Sequence, residues 1–275
     1  MAKHPKPAVA ASRPRRRLRR SALTPGAAVF AALGTVALVA GPTTWAAVPA
    51  GAKSTTTTTK AHSSTTTTTK AGTHASLADQ WLLKAIGAEG KIGSVRIDGK
   101  ITQKGGPIYL DLQVNGDGEG GGTFIQNGFN IQLERVGPIL YFNAPKKYWQ
   151  KVSSASQANQ YGGKWLQISA LDERFVSFDQ FLDADDLVFA SFEGHTSPLT
   201  VSKPTTYQGH KVVIVKDSVV TGGKRSTGYM YIAAKGQPIV YRIVNDTPGD
   251  ESTIVFSHYG KAVTLAVPPN AINLT

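Results

Sequence analysis

The apolar residues of this chain change their spacing several times, and each spacing predicts a different element. Leu77, Trp81, Leu82, Ala85 and Ile86 recur at helical intervals behind Ser76, an N-cap residue with Asp79 three places on. A helix is expected there, ended by Gly87 and Gly90. From Val95 the period becomes two. Ile108, Leu110, Leu112 and Val114 alternate with Tyr109, Asp111 and Gln113, the pattern of a strand with one buried face. Val95–Gln103 and Pro107–Asn115 read as a hairpin around Lys104-Gly105-Gly106. Thr123–Gln126 and Asn130–Val136 pair around Asn127-Gly128, and Ile139–Asn143 follows Gly137-Pro138.

The middle of the chain reads as helical. Pro145 suits the first position of a short helix bearing Tyr148, Trp149 and Val152. Trp165–Ile168 is a short strand. Phe175–Phe192 holds five of the ten phenylalanines and reads as two short helices, the second capped by Asp183 or Asp185. Strands then return over Lys211–Asp217, Gly228–Ala234, Ile239–Asn245, Ser252–His258 and Ala262–Val267. Gly222-Gly223 and Lys235-Gly236-Gln237-Pro238 are the turns between them. Strands, helices, then strands again, joined by short loops, predict an α+β domain with an antiparallel sheet.

The first quarter of the chain follows none of these periods. Residues 1–25 carry eight basic side chains and no acidic one, the composition of a cytoplasmic n-region. Ala27–Ala40 is a run of 14 apolar or small residues, the length of a signal-peptide core rather than of a full span of about 20. Thr44-Trp45-Ala46 and Ala50-Gly51-Ala52 are small-residue cleavage sites. A retained anchor reaching Val48 is the alternative, so residues 26–52 are expected to be a signal peptide or a signal anchor. Residues 53–75 repeat S-T5-K-A and have no side chain able to build a core, which predicts a Thr-rich disordered tether. The folded domain is then 76–275. These features together predict export to the cell envelope or beyond it.

Charge supports that division. The chain carries 30 Lys plus Arg against 18 Asp plus Glu. All 18 acids but only 19 of the bases follow residue 70, so the body stands near +1. A nucleic-acid binder needs its basic stripe on the folded surface, and no nucleic-acid partner is expected. There is no cysteine, which excludes disulfides, thiol catalysis, Cys-ligated metal and a lipidated cysteine.

Candidate chemistry is sparse. Gly116-Asp117-Gly118-Glu119-Gly120-Gly121 spells G-x-G-x-x-G, but a strand rather than a helix follows it, and its acids would repel phosphate. Asn115, Asp117 and Glu119 resemble half a calcium loop, yet Gln126 stands where the bidentate acid belongs. Asp183-Ala184-Asp185-Asp186 reads as a helix start. His195, His210 and His258 have no metal-ligand spacing, and neither H-E-x-x-H nor G-x-S-x-G occurs. No enzyme, metal or cofactor is predicted.

The order of elements resembles the LolA-like half-barrel fold, and more closely the actinobacterial LppX/LprG-type lipoproteins. The likeness is carried by Gly137-Pro138-Ile139-Leu140-Tyr141-Phe142 ahead of Tyr148-Trp149, by Tyr161-Gly162-Gly163-Lys164-Trp165-Leu166-Gln167-Ile168, and by Ser257-His258-Tyr259-Gly260-Lys261-Ala262-Val263 running to Pro268-Pro269. It covers roughly residues 76–272 and lacks the lipidated Cys of that family. The resemblance implies a strongly curved antiparallel sheet wrapped around helices, and a carrier or binder of acylated lipid or another hydrophobic ligand. An apolar cavity is then expected between helices and sheet. Its candidate linings are Phe178, Phe181, Leu182, Val188, Phe189 and Phe192 on the helices. Leu110, Leu112, Ile131, Leu133, Tyr141, Ile214 and Tyr231 are candidates for the opposite wall. The alternative is an envelope sensor or protein-interaction domain with a filled core and no ligand.

Overall fold

A computed structural model describes residues 75–89, 91–102, 106–116, 118–172, 175–191, 198–221 and 224–274. The basic run, the apolar segment and the Thr-rich repeat lie outside them, as do the turns at Lys104-Gly105 and Gly222-Gly223. Among the described residues no helix is long and apolar enough to cross a membrane.

Helix α1 spans Leu77–Glu89. Its start is a reciprocal cap: the Asp79 amide donates to Ser76 Oγ at 3.1 Å, and the Ser76 amide donates to Asp79 Oδ2 at 2.9 Å. The helix runs through Gly87 instead of ending there, because its last turn is fixed from outside. Gln237 Nε2 donates to Ala88 O, and the Val240 amide donates to Glu89 Oε1 at 2.8 Å.

The first sheet half is a meander of β1 (Ser94–Ile101), β2 (Ile108–Asn115), β3 (Gly120–Gln126), β4 (Phe129–Val136), β5 (Ile139–Asn143) and β6 (Trp165–Ser169). Asn127 and Gly128 join β3 to β4 with φ of 52° and 77°, the left-handed pair that a two-residue hairpin needs. β2 and β3 approach closely at Gly122. Its φ is +146°, and a Cβ there would stand 2.1 Å from the Asp111 carbonyl oxygen.

Between β5 and β6 lie α2 (Lys146–Val152) and α3 (Ala155–Tyr161). Pro145 is the N-cap of α2, one place before the expected position. Helix α3 was not expected, although Ser154 and Gln157 form a full capping box at its start. After β6 come α4 (Val176–Asp179), a 3-10 turn over Gln180–Leu182, and α5 (Ala184–Ala190). Asp183 caps α5 by accepting from the Asp186 amide at 3.1 Å.

The second half contains β7 (Thr200–Val201), β8 (Thr205–Tyr207), β9 (His210–Thr221), β10 (Lys224–Ala233), β11 (Val240–Asn245), β12 (Ser252–Ser257) and β13 (Ile272–Asn273). The strands join in one curved, unclosed sheet ordered β13-β6-β5-β4-β3-β2-β1-β12-β11-β10-β9-β7, with β8 also on β9. Its two halves meet where β1 pairs with β12. This is the α+β half-barrel architecture expected from the chain.

Two expectations fail. The sheet is mixed, since β13 runs parallel to β6 through Ile272↔Leu166 and Asn273↔Gln167. Ala262–Val267 is not a strand. Both edges of β12 are occupied, by β1 and β11, so the chain beyond it has no free edge beside it. It leaves instead across the outer face as a strap. Gln113 Nε2 donates to Ala262 O, and the Ala266 amide donates to Glu134 Oε1 at 2.5 Å.

Candidate functional site

The inner face of the sheet carries the core, and the helices cover it. Leu110, Leu112, Phe124, Ile131, Leu133, Leu140 and Phe142 alternate inward from β2 to β5, all nearly or fully buried. Against them α2 sets Tyr148 and Trp149, and the α4 region sets Phe175, Phe178 and Phe181. Phe142 has ring contacts with Tyr148, Trp149, Phe175 and Phe178 at centroid distances of 5.2–5.8 Å. Phe124 meets Phe178 at 5.4 Å and Phe181 at 5.1 Å, in edge-on and tilted geometries.

Most of the predicted lining residues converge here. Phe178, Phe181, Leu182 and Val188 from the helices join Leu110, Leu112, Ile131 and Leu133 in one buried cluster. Of Phe189 only its backbone place in α5 is described, and Phe192 lies outside the described residues. Three wall residues are on the other face. Tyr141 is flanked by the inward Leu140 and Phe142, so the two-residue period turns it outward. Ile214 and Tyr231 pair with each other across β9 and β10, while their neighbours Val213, Val215, Met230 and Ile232 point into the core. The error has one physical source. A continuous apolar run such as Leu140-Tyr141-Phe142 does not reveal which alternate set faces inward.

The interior is packed by its own side chains. Among the described residues, two spaces stand out, and neither is lined by the aromatic cluster. One, of about 10 Å³, holds at most a water and lies among Glu89, Ser94, Asn115, Asp183 and Asp185. The other, of about 170 Å³, is an outer groove between the strap at Val263–Leu265 and Gly121, Gly122 and Glu134.

Polar groups at the rim of this interior tie the helices to the sheet. Arg135 on β4 meets Asp179 at the end of α4, with Nη1 3.1 Å from Oδ1, and its Nε donates to Gly137 O. Glu89 is 2% exposed. Burial pushes its carboxyl up to about 8, against the opposing effect of the Val240 amide. The nearby Asp185 adds to the rise, and a bond from Tyr259 opposes it. Burial likewise raises the Tyr259 phenol, with the Glu89 charge as the next cause. Trp149 Nε1 and Gln126 Oε1 are buried with no hydrogen-bond partner among the described residues.

The described part of the G-x-G-x-x-G stretch leads from β2 into β3, which begins at Gly120, as its flanking strands imply. The Asn115 amide donates to Glu119 O at 2.8 Å, and the Glu119 amide donates to Asn115 Oδ1 at 2.9 Å. Glu119 Oε1 accepts from the Gly137 amide at 2.7 Å, so both side chains are engaged in building the turn.

No family model matches the chain, and no curated protein matches it. Solved structures do. LprF from Mycobacterium bovis is 16% identical, with 70% of this chain and 96% of that chain covered and a TM-score of 0.43. The lipoprotein LppX from Mycobacterium tuberculosis is 13% identical over 68% of this chain and 97% of that one, with a TM-score of 0.44. A domain from Vibrio parahaemolyticus, titled an outer membrane lipoprotein-sorting protein, is 10% identical over 68% and 95%, with a TM-score of 0.25.

Proposed function

We propose that the domain is a non-catalytic, hydrophobic-ligand binding module of the cell envelope, exported by an N-terminal segment that is either cleaved or kept as an anchor. One observation carries the reading: the inner face of the half-barrel is closed by helical pieces too short to stand alone. α4, the 3-10 turn and α5 have 4, 3 and 7 residues. Isolated helices of that length are unstable in water. They hold their form only by burying Phe178, Phe181, Leu182, Leu187 and Val188 in the common core, where α5 rests on α1 and the 3-10 turn.

Such a cover exchanges readily for an acyl chain. Lifting five buried apolar side chains off the sheet costs about 7–15 kcal/mol at ~1.5–3 kcal/mol each. A sixteen-carbon chain laid in their place returns about 12 kcal/mol at ~0.8 kcal/mol per methylene. The two are of similar size, so ligand can compete with the cover. The unpaired Trp149 indole N–H and Gln126 carbonyl oxygen are buried groups that a ligand's polar end would satisfy.

The filled aromatic interior favours a second reading, a protein-interaction or sensor domain with no ligand. The test is titration of the exported protein with a fluorescent acyl probe, followed by native mass spectrometry. Saturable uptake reversed by an unlabelled fatty acid supports the carrier. No uptake at any concentration, with no co-purified lipid, assigns the domain to the second reading. Export itself is read by a reporter enzyme fused after residue 75, which is expected to be active only outside the membrane.

A further inference from the structure

The outer face of β8–β11 has a surface unlike the rest of the sheet. Tyr207 on β8 and Tyr231 on β10 are in ring contact at 5.0 Å. The Arg242 guanidinium of β11 lies over both, 6.0 Å from the first ring and 5.7 Å from the second. Two residues along the strands, Lys216 Nζ lies 5.7 Å from the Tyr229 ring. Lys211 stands at the β8 end, its Nζ on Thr206 Oγ1 at 2.9 Å.

The strand register makes this a continuous patch. Ile214, Tyr231, Arg242 and Val255 form one outward row across β9–β12, and Lys216, Tyr229, Val244 and Thr253 form the next. Within β9–β12 neither row contains a carboxylate; beyond Val255 the first row continues into Asp98 and Asp111, which are taken up by Arg96. Among the described residues Arg242 has no ion-pair partner, whereas Arg96 and Arg135 both do. The patch is a cluster of tyrosine rings, Tyr207 and Tyr231 tilted at 48° to each other, with Arg242 and Lys216 lying against them.

We propose that this face binds an acidic polysaccharide. Aromatic ring faces are electron-rich and pack against the polarised C–H faces of sugar rings. A guanidinium already held over tyrosine rings has less ordering left to do when it meets a carboxylate or phosphate through its terminal N–H groups. Successive outward side chains on a strand are about 6–7 Å apart, the scale of one sugar unit. Each row sets one ring beside one cation, Tyr231 with Arg242 and Tyr229 with Lys216, which suits a polymer that carries both sugar and charge. An anionic membrane is the poorer fit. Tyr207, Tyr231 and Arg242 are half-buried and lie along the sheet, and none of the three projects as an insertion anchor would.

The test uses the exported protein with polygalacturonate, with neutral dextran of matched length, and with phosphatidylglycerol vesicles. Polygalacturonate is expected to bind at low salt and dextran not to bind. Tyr231→Ala and Arg242→Ala should each weaken binding at least tenfold. Lys216→Ala should weaken it about threefold and flatten its salt dependence. Hydrogen exchange should show protection at β10 and β11 on binding. Should Arg242→Ala lower the melting temperature, Lys216→Ala, a change at a half-buried side chain with no ion pair among the described residues, reads the same loss. Equal binding by all variants would assign the interaction to the basic N-terminal run and overturn the proposal. Binding to vesicles but not to polygalacturonate would overturn it as well.

Discussion

Arg135 and Asp179 face each other across the rim of the half-barrel, with nitrogen and oxygen 3.1 Å apart and side chains only 20% and 17% exposed. The pair fastens the short helix α4 to the β4–β5 hairpin. Asp179→Ala should cost about 1–3 kcal/mol, since it strands a partly buried guanidinium. Hydrogen exchange over residues 175–191 is expected to accelerate more than exchange in the sheet. If that segment covers a ligand site, the acyl probe should also enter faster.

Phe181 is fully buried against Phe124. A side chain lining an open cavity would lose few neighbours on truncation, but this one sits in a packed interior. Phe181→Ala is expected to destabilise the domain by about 3–5 kcal/mol. Denaturant titration measures it, and a loss below about 1 kcal/mol would show that the ring is not held in the packed state.

Glu89 makes stability depend on pH in a defined direction. Its carboxyl is pushed up to about 8 when folded, from an ordinary value near 4.5. The folded state therefore binds more protons between those values, and stability falls as pH rises through that window. The full loss, on the order of 5 kcal/mol, is reached above about pH 8. Asp185, Tyr259 and the Val240 amide face the group and share in the effect. Glu89→Gln keeps the Val240 acceptor and cannot ionise, so its melting temperature should be flatter between pH 5 and 9. An unchanged slope would place the titration elsewhere.

Gly122→Ala should be among the most damaging single changes. The new methyl would meet the Asp111 backbone oxygen at 2.1 Å, and a backbone atom cannot rotate away. The expected result is a melting temperature lowered by many degrees, or no folded protein. Gly128→Ala, with nothing within 4 Å, is the control that isolates the φ cost from the clash.

A chain beginning at Ser76 should melt as the longer one does. Its first helix is closed by the reciprocal Ser76–Asp79 cap, which needs nothing upstream. Thermal melts of the two proteins check this, and a drop of several degrees would make residues 53–75 part of the fold.

The sequence made some of this legible and hid the rest for local reasons. Alternation at Ile108–Val114 identified a strand and its buried face, and all four apolar residues there are buried. Asn127-Gly128 identified its turn by chemistry. Helix α3 was missed because ASQANQY is almost without apolar residues, although the Ser154–Gln157 box marked its start. The strap was missed because Val263, Leu265 and Val267 alternate like a strand. Whether such a run pairs depends on a free edge, which only the strand order decides. Tyr141, Ile214 and Tyr231 were turned to the wrong face because the apolar runs around them have no internal phase. The Tyr207–Arg242–Tyr231 group joins three strands distant in sequence, and no local signal announces it.

The pairing of β1 with β12 sets the order in which the molecule can come together. Arg96 lies opposite Ser257, and Ser94 Oγ bonds to Lys261 O, so the central join links the first strand to nearly the last. Until β12, Ser252–Ser257, is available, the sheet exists only as two separate pieces, each with an open edge where the seam will form. A chain emerging N-terminus first would therefore cross a membrane before its seam could close. Completion waits for the C-terminus, and loss of even the last two dozen residues should leave the halves apart, however intact each one is.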